Sequence, residues 1–206
     1  ALAKAQPGTQ IRLEAGVFAG DESLMVPEGV IFCGTVSDDG TPQTTLEFSA
    51  DAPAVWLRNS AQARVRDLNI RITAEHVAQR SLPDDAPFDG DPEDAPLVNW
   101  GAIFAQSSRG AHFENLHVTS IHKPEFLSGI AVLQSEQVTV SNCRVGQVGR
   151  DGVIWRSSQS GLIERCSIHE CRHGIGLSSD GISPTGSSAN ILSNRCHDNE
   201  EAGIVL

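Results

Sequence analysis

The second half of the chain repeats one short phrase, a glycine followed by three mostly apolar residues. The copies begin at Gly101, Gly129, Gly152, Gly174 and Gly203, so the intervals between them are 28, 23, 22 and 29 residues. A period in the low twenties, lengthened only by insertions, is typical of a solenoid, in which each repeat buries its apolar face against its neighbours. The spacing therefore predicts an elongated column of stacked coils.

The composition agrees with such a column and narrows its partners. The 206 residues are 39% hydrophobic, and no apolar run approaches the roughly eighteen residues that a membrane span requires. The formal net charge is −11, which disfavours nucleic acid and anionic membranes, because both attract Lys and Arg. We expect neither nucleic acid nor a membrane as a partner.

The chain contains five cysteines and no Cys-x-x-Cys pair. An odd number without paired spacing predicts buried thiols and not a disulfide framework, which favours a reducing, cytoplasmic compartment. The sequence has no initiator Met and no signal-peptide pattern, and it stops within a repeat phrase at Leu206. We therefore interpret it as a fragment of a longer chain, whose ends do not reveal its localisation.

The N-terminal residues show a capping pattern. Residues 1–10 resemble the last turns of a helix closed by Pro7-Gly8, and Ile11-Arg12-Leu13 and Gly16-Val17-Phe18 follow as strands. This order resembles the entry of right-handed parallel β-helix proteins of the pectin-lyase-like superfamily. The resemblance implies an all-β, right-handed parallel β-helix of roughly six to seven coils with a short N-terminal capping helix. We expect residues 1–206 to form a single domain of this kind.

The glycines, taken as a register, predict which residues stack from coil to coil at about 4.8 Å. Two rows are expected to point inward, namely Ala102, Ile130, Val153, Ile175 and Ile204, and Phe104, Val132, Trp155, Leu177 and Leu206. The outward row between them is unusually apolar and consists of Ile103, Ala131, Ile154, Gly176 and Val205. Such a row predicts that a loop, a partner or a ligand covers it.

A second strand in each coil places the cysteines inside the column. Leu116, Cys143, Cys166 and Asn194 share one position, which often carries a stacked Asn ladder in β-helix families. The next bend repeats the theme with Ile121, Val148, Cys171 and Asn199. These cysteines are predicted to be structural. Cys143 and Cys166 would be close enough for a disulfide, which we do not expect to form.

The same register gathers polar residues on one edge of the column. His169 aligns with His197, and Arg144, Ser167 and Arg195 align beside them. Just before the glycines, Arg150 neighbours Arg172 and Asp151 neighbours His173, and Asp180 lies beyond the strand that His173 opens. Residues 74–98 hold four prolines and many acids, which predicts a long surface loop that leaves from this edge and forms a groove with it.

Two kinds of chemistry are conceivable there. A histidine beside a carboxylate can act as a general base, so His173, Asp151 and Asp180 are the candidate catalytic residues. Arginine can neutralise a sugar carboxylate, and the candidate ligand-binding residues are Arg144, Arg150, Arg172, His169, His197 and Arg195. The competing interpretation is that charged residues at the bends are solvated and pair across coils. We favour it, because proximity without a motif is weak evidence.

No metal or cofactor is expected. His169 and His197 lack a third ligand. Calcium is the alternative considered for the acidic loop, through Asp84, Asp85, Asp89, Asp91 and Asp94. These residues lack the spacing of an EF-hand, so a solvated loop is favoured over a calcium site.

The active-site motifs of the superfamily are incomplete. Arg172-His173-Gly174 resembles the Gly-His-Gly element of its polysaccharide hydrolases, but no Asp-Asp pair precedes it in a neighbouring coil and no Arg-x-Lys follows. The Asp-Pro-His-Glu motif of alginate epimerases is absent. Sugar clefts usually present aromatic platforms, yet the chain has no Tyr, and with Trp155 predicted inward only Trp56 and Trp100 remain.

Three functional hypotheses follow. The first is a non-catalytic β-helix module of a larger protein, a binding or scaffolding segment that recognises a polysaccharide or a protein partner along its exposed sheet. The alternative is a carbohydrate-active enzyme, namely a polysaccharide lyase, glycoside hydrolase or epimerase, which predicts that Asp151, His173 and Asp180 converge around one cavity. The third is self-association through the C-terminal coil, where Ile204-Val205-Leu206 shows no cap.

Overall fold

The chain winds into a column of seven coils with three walls. A computed structural model describes residues 2–78, 80–81, 97–98, 101–178 and 187–206. The strands are β1 to β21 in chain order, and coil-to-coil strand pairs in the walls are parallel. The prediction of a parallel β-helix with six to seven coils is confirmed.

The first wall is built from the glycine phrases. Its strands, in their order along the column, are β3 (Leu24–Met25), β6 (Val55–Arg58), β10 (Gly101–Gln106), β12 (Ser128–Leu133), β15 (Asp151–Arg156), β18 (His173–Ser178) and β21 (Ala202–Val205).

The second wall follows the first in every coil. Its strands are β1 (Gln10–Arg12), β4 (Ile31–Cys33), the first part of β7 (Arg64–Ile72), the first part of β11 (His112–Ser120), β13 (Thr139–Ser141), β16 (Gly161–Glu164) and β19 (Ala189–Leu192).

The third wall completes each coil. Its strands are β2 (Gly16–Gly20), β5 (Thr44–Phe48), the second parts of β7 and β11, β14 (Arg144–Gly146), β17 (Ser167–His169) and β20 (Arg195–His197). Outside the walls, β8 (Arg80–Ser81) and β9 (Leu97–Val98) pair in antiparallel fashion within the predicted loop insertion.

One residue per coil turns the chain between the second and third walls. Asp67, Asn115, Asn142, Arg165 and Ser193 all have a left-handed φ between 51° and 62°. The residue after each of them points inward. Asn194 fills that position in the last coil, where its side chain accepts a hydrogen bond from the backbone N of Cys166 (2.8 Å) and donates one to the carbonyl of Ile163 (2.8 Å).

Cysteine replaces asparagine in the preceding coils, as predicted. The Sγ of Cys166 lies 3.7 Å from the carbonyl of Val140, and the Sγ of Cys143 lies 3.7 Å from the carbonyl of Phe113. Cys171 and Asn199 repeat the arrangement at the next bend, where the Asn199 side chain accepts a hydrogen bond from the backbone N of Cys171. All five cysteines are free thiols, so no bridge joins Cys143 to Cys166.

The assignment of Ile121 to that second bend is wrong. Val148 and Cys171 are fully buried, whereas Ile121 is 55% exposed. The backbone N of Ile121 still continues the third-wall ladder by donating to the carbonyl of Ile72. The bend that follows differs from the later ones, because it is longer, spans residues 121–127 and contains a turn of its own.

The register of the first glycine copy is also corrected by one residue. Ile103 pairs with Ile130, and Phe104 pairs with Ala131, so Phe104 lies on the outward row and not inside. It nevertheless is only 1% exposed, and its ring lies 5.9 Å from that of Trp56 on the same row. From β12 to β18 the predicted inward rows are confirmed, and Trp155 is the largest fully buried side chain among the described residues. In the last coil Ile204 still pairs with Ile175, but Ile204 is 48% exposed and Leu206 is 89% exposed, so their predicted burial is wrong.

A serine at the end of each strand, and not the glycine at its start, sets the register between these coils. The backbone N of Ser108 donates to the Oγ of Ser135 (3.0 Å), and the backbone N of Ser135 donates to the Oγ of Ser158 (3.0 Å). Ser60 binds Ser108 in the same way. Counting back from these serines aligns Ile103 with Ile130 and Val153.

The capping helix is not confirmed. Residues Leu2–Lys4 form a single 3-10 turn, and Pro7 follows shortly after it. An apolar cavity of about 540 Å³ lies at this end of the column, between Leu2, Ile11, Leu24 and Phe32. Among the described residues, no helix is long and apolar enough to cross a membrane.

Candidate functional site

The charged edge is where three coils bring Arg150, Asp151, Arg172, His173 and Glu201 together. β15 and β18 begin with Asp151 and His173, which pair in register. The residues before them are stacked by backbone hydrogen bonds, from the N of Arg172 to the O of Arg150 (2.8 Å) and from the N of Glu201 to the O of Arg172 (2.9 Å). Ladder pairing therefore fixes these five side chains in adjacent rows.

His173 is held by a carboxylate at each ring nitrogen. Its Nδ1 lies 2.8 Å from Oδ1 of Asp151 and its Nε2 lies 2.9 Å from Oε2 of Glu201. Both ring nitrogens of His173 thus lie within hydrogen-bond distance of a carboxylate oxygen, and the carboxylates accept these hydrogen bonds when ionised. Neither nitrogen is left to take a proton from a substrate.

Two arginines complete the charged edge. The Nε of Arg172 donates to Oε1 of Glu201 (2.6 Å), and the Nε of Arg150 lies 3.8 Å from Oδ2 of Asp151. The hydrogen bonds from Arg172 and then from His173 hold the pKa of Glu201 below its usual value. Asp151 is 3% exposed, whereas the side chain of Glu201 is 50% exposed.

A glycine makes room for the buried carboxylate. A Cβ at Gly176 would lie 3.2 Å from Oδ1 of Asp151 and 3.3 Å from Cδ1 of Ile154. Any larger side chain on this outward row would press on Asp151. The sequence thus provides a pocket for Asp151 in the wall of the next coil.

His169 and His197 stack on the third wall. They pair in register, and their ring centroids are 5.3 Å apart with a 21° angle between the planes. Gly146 precedes them in the row, where a Cβ would lie 2.5 Å from Cε1 of His169, so the imidazole occupies space that a side chain would fill. The Nδ1 of His197 lies 2.7 Å from Oδ2 of Asp198, and this hydrogen bond lowers the pKa of Asp198.

The arginine row, which comprises Arg144, Ser167 and Arg195, runs beside that stack. The three residues pair in register across successive coils, as the sequence predicts. Arg144 and Arg195 are exposed, and the side chain of neither forms a hydrogen bond or an ion pair with any residue in the described ranges. In the coil before them, burial and then the charge of Arg144 lower the pKa of His117.

The structure thus joins some predicted site residues and separates others. Asp151 converges with His173, and Arg150 and Arg172 flank them. Arg144, Arg195, His169 and His197 form the outer surface of the third wall instead. Asp180, Trp100 and the loop aspartates Asp84, Asp85, Asp89, Asp91 and Asp94 lie outside the described residues.

Sequence reasoning missed Glu201 as a member of the site. Its signal was available, because Glu201 occupies the row position of Arg150 and Arg172 with the opposite charge. The described residues contain no group of three or more His, Cys, Asp or Glu that would hold a metal ion. Burial raises the pKa of Cys171 to about 12 and that of Cys143 well above its usual value, which makes these two thiols poor nucleophiles, whereas the hydrogen bond with Cys143 lowers the pKa of Cys166.

Comparison with known proteins places the fold. The family described as "Right handed beta helix region" matches residues 94–206, which is more than half of the chain. None of the curated proteins matches the sequence. Among solved structures, a family 28 exopolygalacturonase from Yersinia enterocolitica has a TM-score of 0.65 at 10% identity, and the match covers 94% of this chain and 44% of that one.

Two further structures are similar. PfbA, a surface adhesin of Streptococcus pneumoniae, has a TM-score of 0.61 at 12% identity, and the match covers 91% of this chain and 49% of PfbA. A predicted glycosyl hydrolase from Parabacteroides merdae has a TM-score of 0.59 at 10% identity, with 90% and 81% covered. At these identities the likeness concerns the fold alone. This chain spans less than half the length of the exopolygalacturonase and of the adhesin.

Proposed function

The chain belongs to the right-handed β-helix family, and from that premise we propose that it is a non-catalytic module of a larger protein that binds an acidic polysaccharide along its third wall. The fold is shared by carbohydrate-active enzymes and by an adhesin. Fold alone therefore does not decide between catalysis and binding. The side chains have to carry the choice.

One observation carries the proposal: the charged side chains of the charged edge pair with one another, whereas the arginines of the arginine row do not. His173 is engaged at both nitrogens, and Arg172 and Arg150 face Glu201 and Asp151. Arg144 and Arg195 have no such partners among the described residues. They are two coils apart, at about 10 Å on a rigid sheet.

Such an arginine row suits a polymer that carries regularly spaced carboxylates. Guanidinium groups bind carboxylates with directed hydrogen bonds, and a pre-ordered sheet loses little entropy on binding. The stacked rings of His169 and His197 lie beside the row and offer further donors. The overall charge of −11 disfavours unspecific binding of polyanions and confines recognition to this face.

Calorimetric titration with polygalacturonate and alginate at low salt tests the proposal. We expect binding to at least one of these polymers and an affinity at least tenfold lower in the Arg144→Ala/Arg195→Ala variant. Arg109→Ala is the matched control, since Arg109 is also exposed but lies beside Glu136 on another face. Equal binding by the double variant and the wild type would refute the third wall as the site.

A second candidate, a carbohydrate-active enzyme, is favoured by the contact between Asp151 and His173 that this hypothesis predicts. It requires His173 to leave Glu201 when substrate binds, so that Nε2 becomes available. Incubation with the same polymers, followed by assay for unsaturated or reducing ends, separates the two candidates. Product that forms with the wild type and is lost in His173→Gln would replace the binding module by an enzyme.

A further inference from the structure

A second surface, on the second wall and the turns that join it to the first wall, has the properties of a separate ligand site. A groove of about 930 Å³ runs along the second wall from Gly8 to Ser160. It crosses six coils, which at about 4.8 Å per coil gives a length of about 24 Å. Its direction is therefore along the column and across the strands.

The groove combines a glycine-rich side with a row of polar side chains. One turn residue per coil lines one side, and three of these residues are Gly8, Gly29 and Gly110, all with positive φ. Arg64, His112 and Thr139 pair in register and form the other side. A Cβ at Gly8 would meet nothing within 4 Å and one at Gly110 would lie 3.7 Å from Cγ of Gln62, so these two glycines leave space to the groove, whereas a Cβ at Gly29 would lie 2.9 Å from Cβ of Pro7.

The polar side chains of the groove are unpaired. Six of them form no hydrogen bond and no ion pair with any residue that the structure describes, namely Gln62, Arg64, His112, Gln137, Thr139 and Ser160. Most charged residues elsewhere are paired, for example Arg66 with Asp67 and Arg172 with Glu201. A concave surface with this many free donors and acceptors is suited to a polar ligand.

The backbone of the groove is not available for recognition. The turn amides already donate to the next coil, from Gly29 to Ala61 (2.8 Å), from Gln62 to Arg109 (2.7 Å) and from Gly110 to Glu136 (2.9 Å). An added peptide strand would need such groups free. With a single arginine and no Phe, Tyr or Trp in its lining, the groove also lacks the features that hold nucleic acid strands.

We infer that this groove binds a linear, hydroxyl-rich neutral glycan through its side chains. Two amides, two hydroxyls and the imidazole of His112 can each donate and accept, which matches sugar hydroxyls. Burial, and then the charge of Arg64, lower the pKa of His112 and so favour the neutral imidazole that has both capacities. The inference does not depend on the arginine row of the third wall.

A panel of neutral polysaccharides, comprising xylan, mixed-linkage β-glucan, mannan and soluble cellulose derivatives, tests the groove by affinity electrophoresis and calorimetry. We expect at least one to bind. Thr139→Trp fills the groove and should lower that affinity at least tenfold. Glu114→Trp places the same bulky side chain on the same wall but outside the groove, and should leave it within twofold.

The milder Gln62→Ala/Gln137→Ala variant keeps the test valid if the tryptophan disturbs folding, and should lower the affinity at least threefold. Absence of binding across the panel, equal binding by Thr139→Trp and the wild type, or binding of carboxymethylated casein in place of any glycan would overturn the inference. Arg144→Ala/Arg195→Ala should leave neutral-glycan binding unchanged, so that failure here is distinct from failure of acidic-polymer binding on the third wall.

Discussion

The charged edge and the groove of the second wall are built by the same repeat and yet treat their polar residues in opposite ways. Both arise where register copies a side-chain position from coil to coil. At the charged edge each row contains a pair of neighbours that bind each other, namely Arg172 with Glu201 and Asp151 with His173. In the groove the successive residues Arg64, His112 and Thr139 cannot neutralise one another.

The residues of a row decide whether its side chains pair across coils, an arrangement that we call a staple, or stay exposed. Neighbours of opposite charge bind each other and stabilise the stacking of coils. Neighbours of like or neutral character stay free for a ligand. Each row can be converted into the other by a single substitution, which makes the distinction testable.

Breaking the staple at its buried end should have the largest effect. Asp151→Ala removes a carboxylate that is 3% exposed, and with it the hydrogen-bond partner of His173 Nδ1 and the opposite charge beside Arg150. We expect a loss of about 3 kcal/mol in the free energy of unfolding, measured with urea. Asp151→Asn keeps the size and one acceptor and should lose less; an unchanged midpoint for Asp151→Ala would show that the charged edge is no staple.

The contribution of Glu201, at the exposed end of the staple, to the free energy of unfolding should depend on pH. The pKa of Glu201 is lower in the folded protein than its ordinary value of 4.5, so its stabilising effect is present above that value and is lost as the pH falls through the folded pKa. The stability of the wild type relative to Glu201→Gln should therefore shrink as the pH is lowered from above 4.5 through the folded pKa of Glu201. A difference independent of pH would mean that Arg172 and His173 do not act on this carboxylate.

Building a staple in the groove should have a smaller, opposite effect. Thr139→Glu places a carboxylate beside His112, and should raise the pKa of His112 and stabilise the fold by about 0.5 kcal/mol. Because the pKa of His112 is below 6.5 in the wild type and should be higher in the variant, the gain should be full where both imidazoles are protonated and fade as the pH rises through the folded pKa of His112 in the variant. NMR titration of the imidazole checks the shift, and Thr139→Gln is the uncharged control.

Replacing Arg64, whose side chain is unpaired among the described residues, should change the stability least. Arg64 has no ion pair among the described residues, so Arg64→Ala should change the free energy of unfolding by less than about 0.5 kcal/mol. The pKa of His112 should nevertheless rise, because the charge of Arg64 contributes to lowering it. A large loss of stability would place Arg64 with the stapled residues.

Most of the fold could be predicted because glycine spacing and apolar alternation are local signals. They identified the stacked cysteines and the inward position of Trp155, where Gly161 leaves space for the indole ring. They did not predict the shift at Gly101, because the register there follows Ser108 and its partner in the next coil. A serine after a strand is too common in sequences to mark a ladder until the coils are stacked.

The candidate site was predictable only in part, for a similar reason. Asp151 and His173 share a register position, so their contact followed from alignment. Which atoms meet did not follow, and so the second carboxylate on His173 was not foreseen. The free groove of the second wall depends on three glycines and on side chains that do not pair, and unpaired residues leave no pattern in a sequence.

The serine ladder also bears on how the length of this column can change. Each rung links only adjacent coils, from Ser60 to Ser108, from Ser108 to Ser135 and from Ser135 to Ser158. Inserting a whole coil that carries its own serine would break one rung and create two, while a single inserted residue within a strand would misplace every outward side chain after it. The ladder tolerates insertions at the bends, since its rungs join serines that are 48, 27 and 23 residues apart. Growth by complete turns is the change of length that would also lengthen both proposed binding faces.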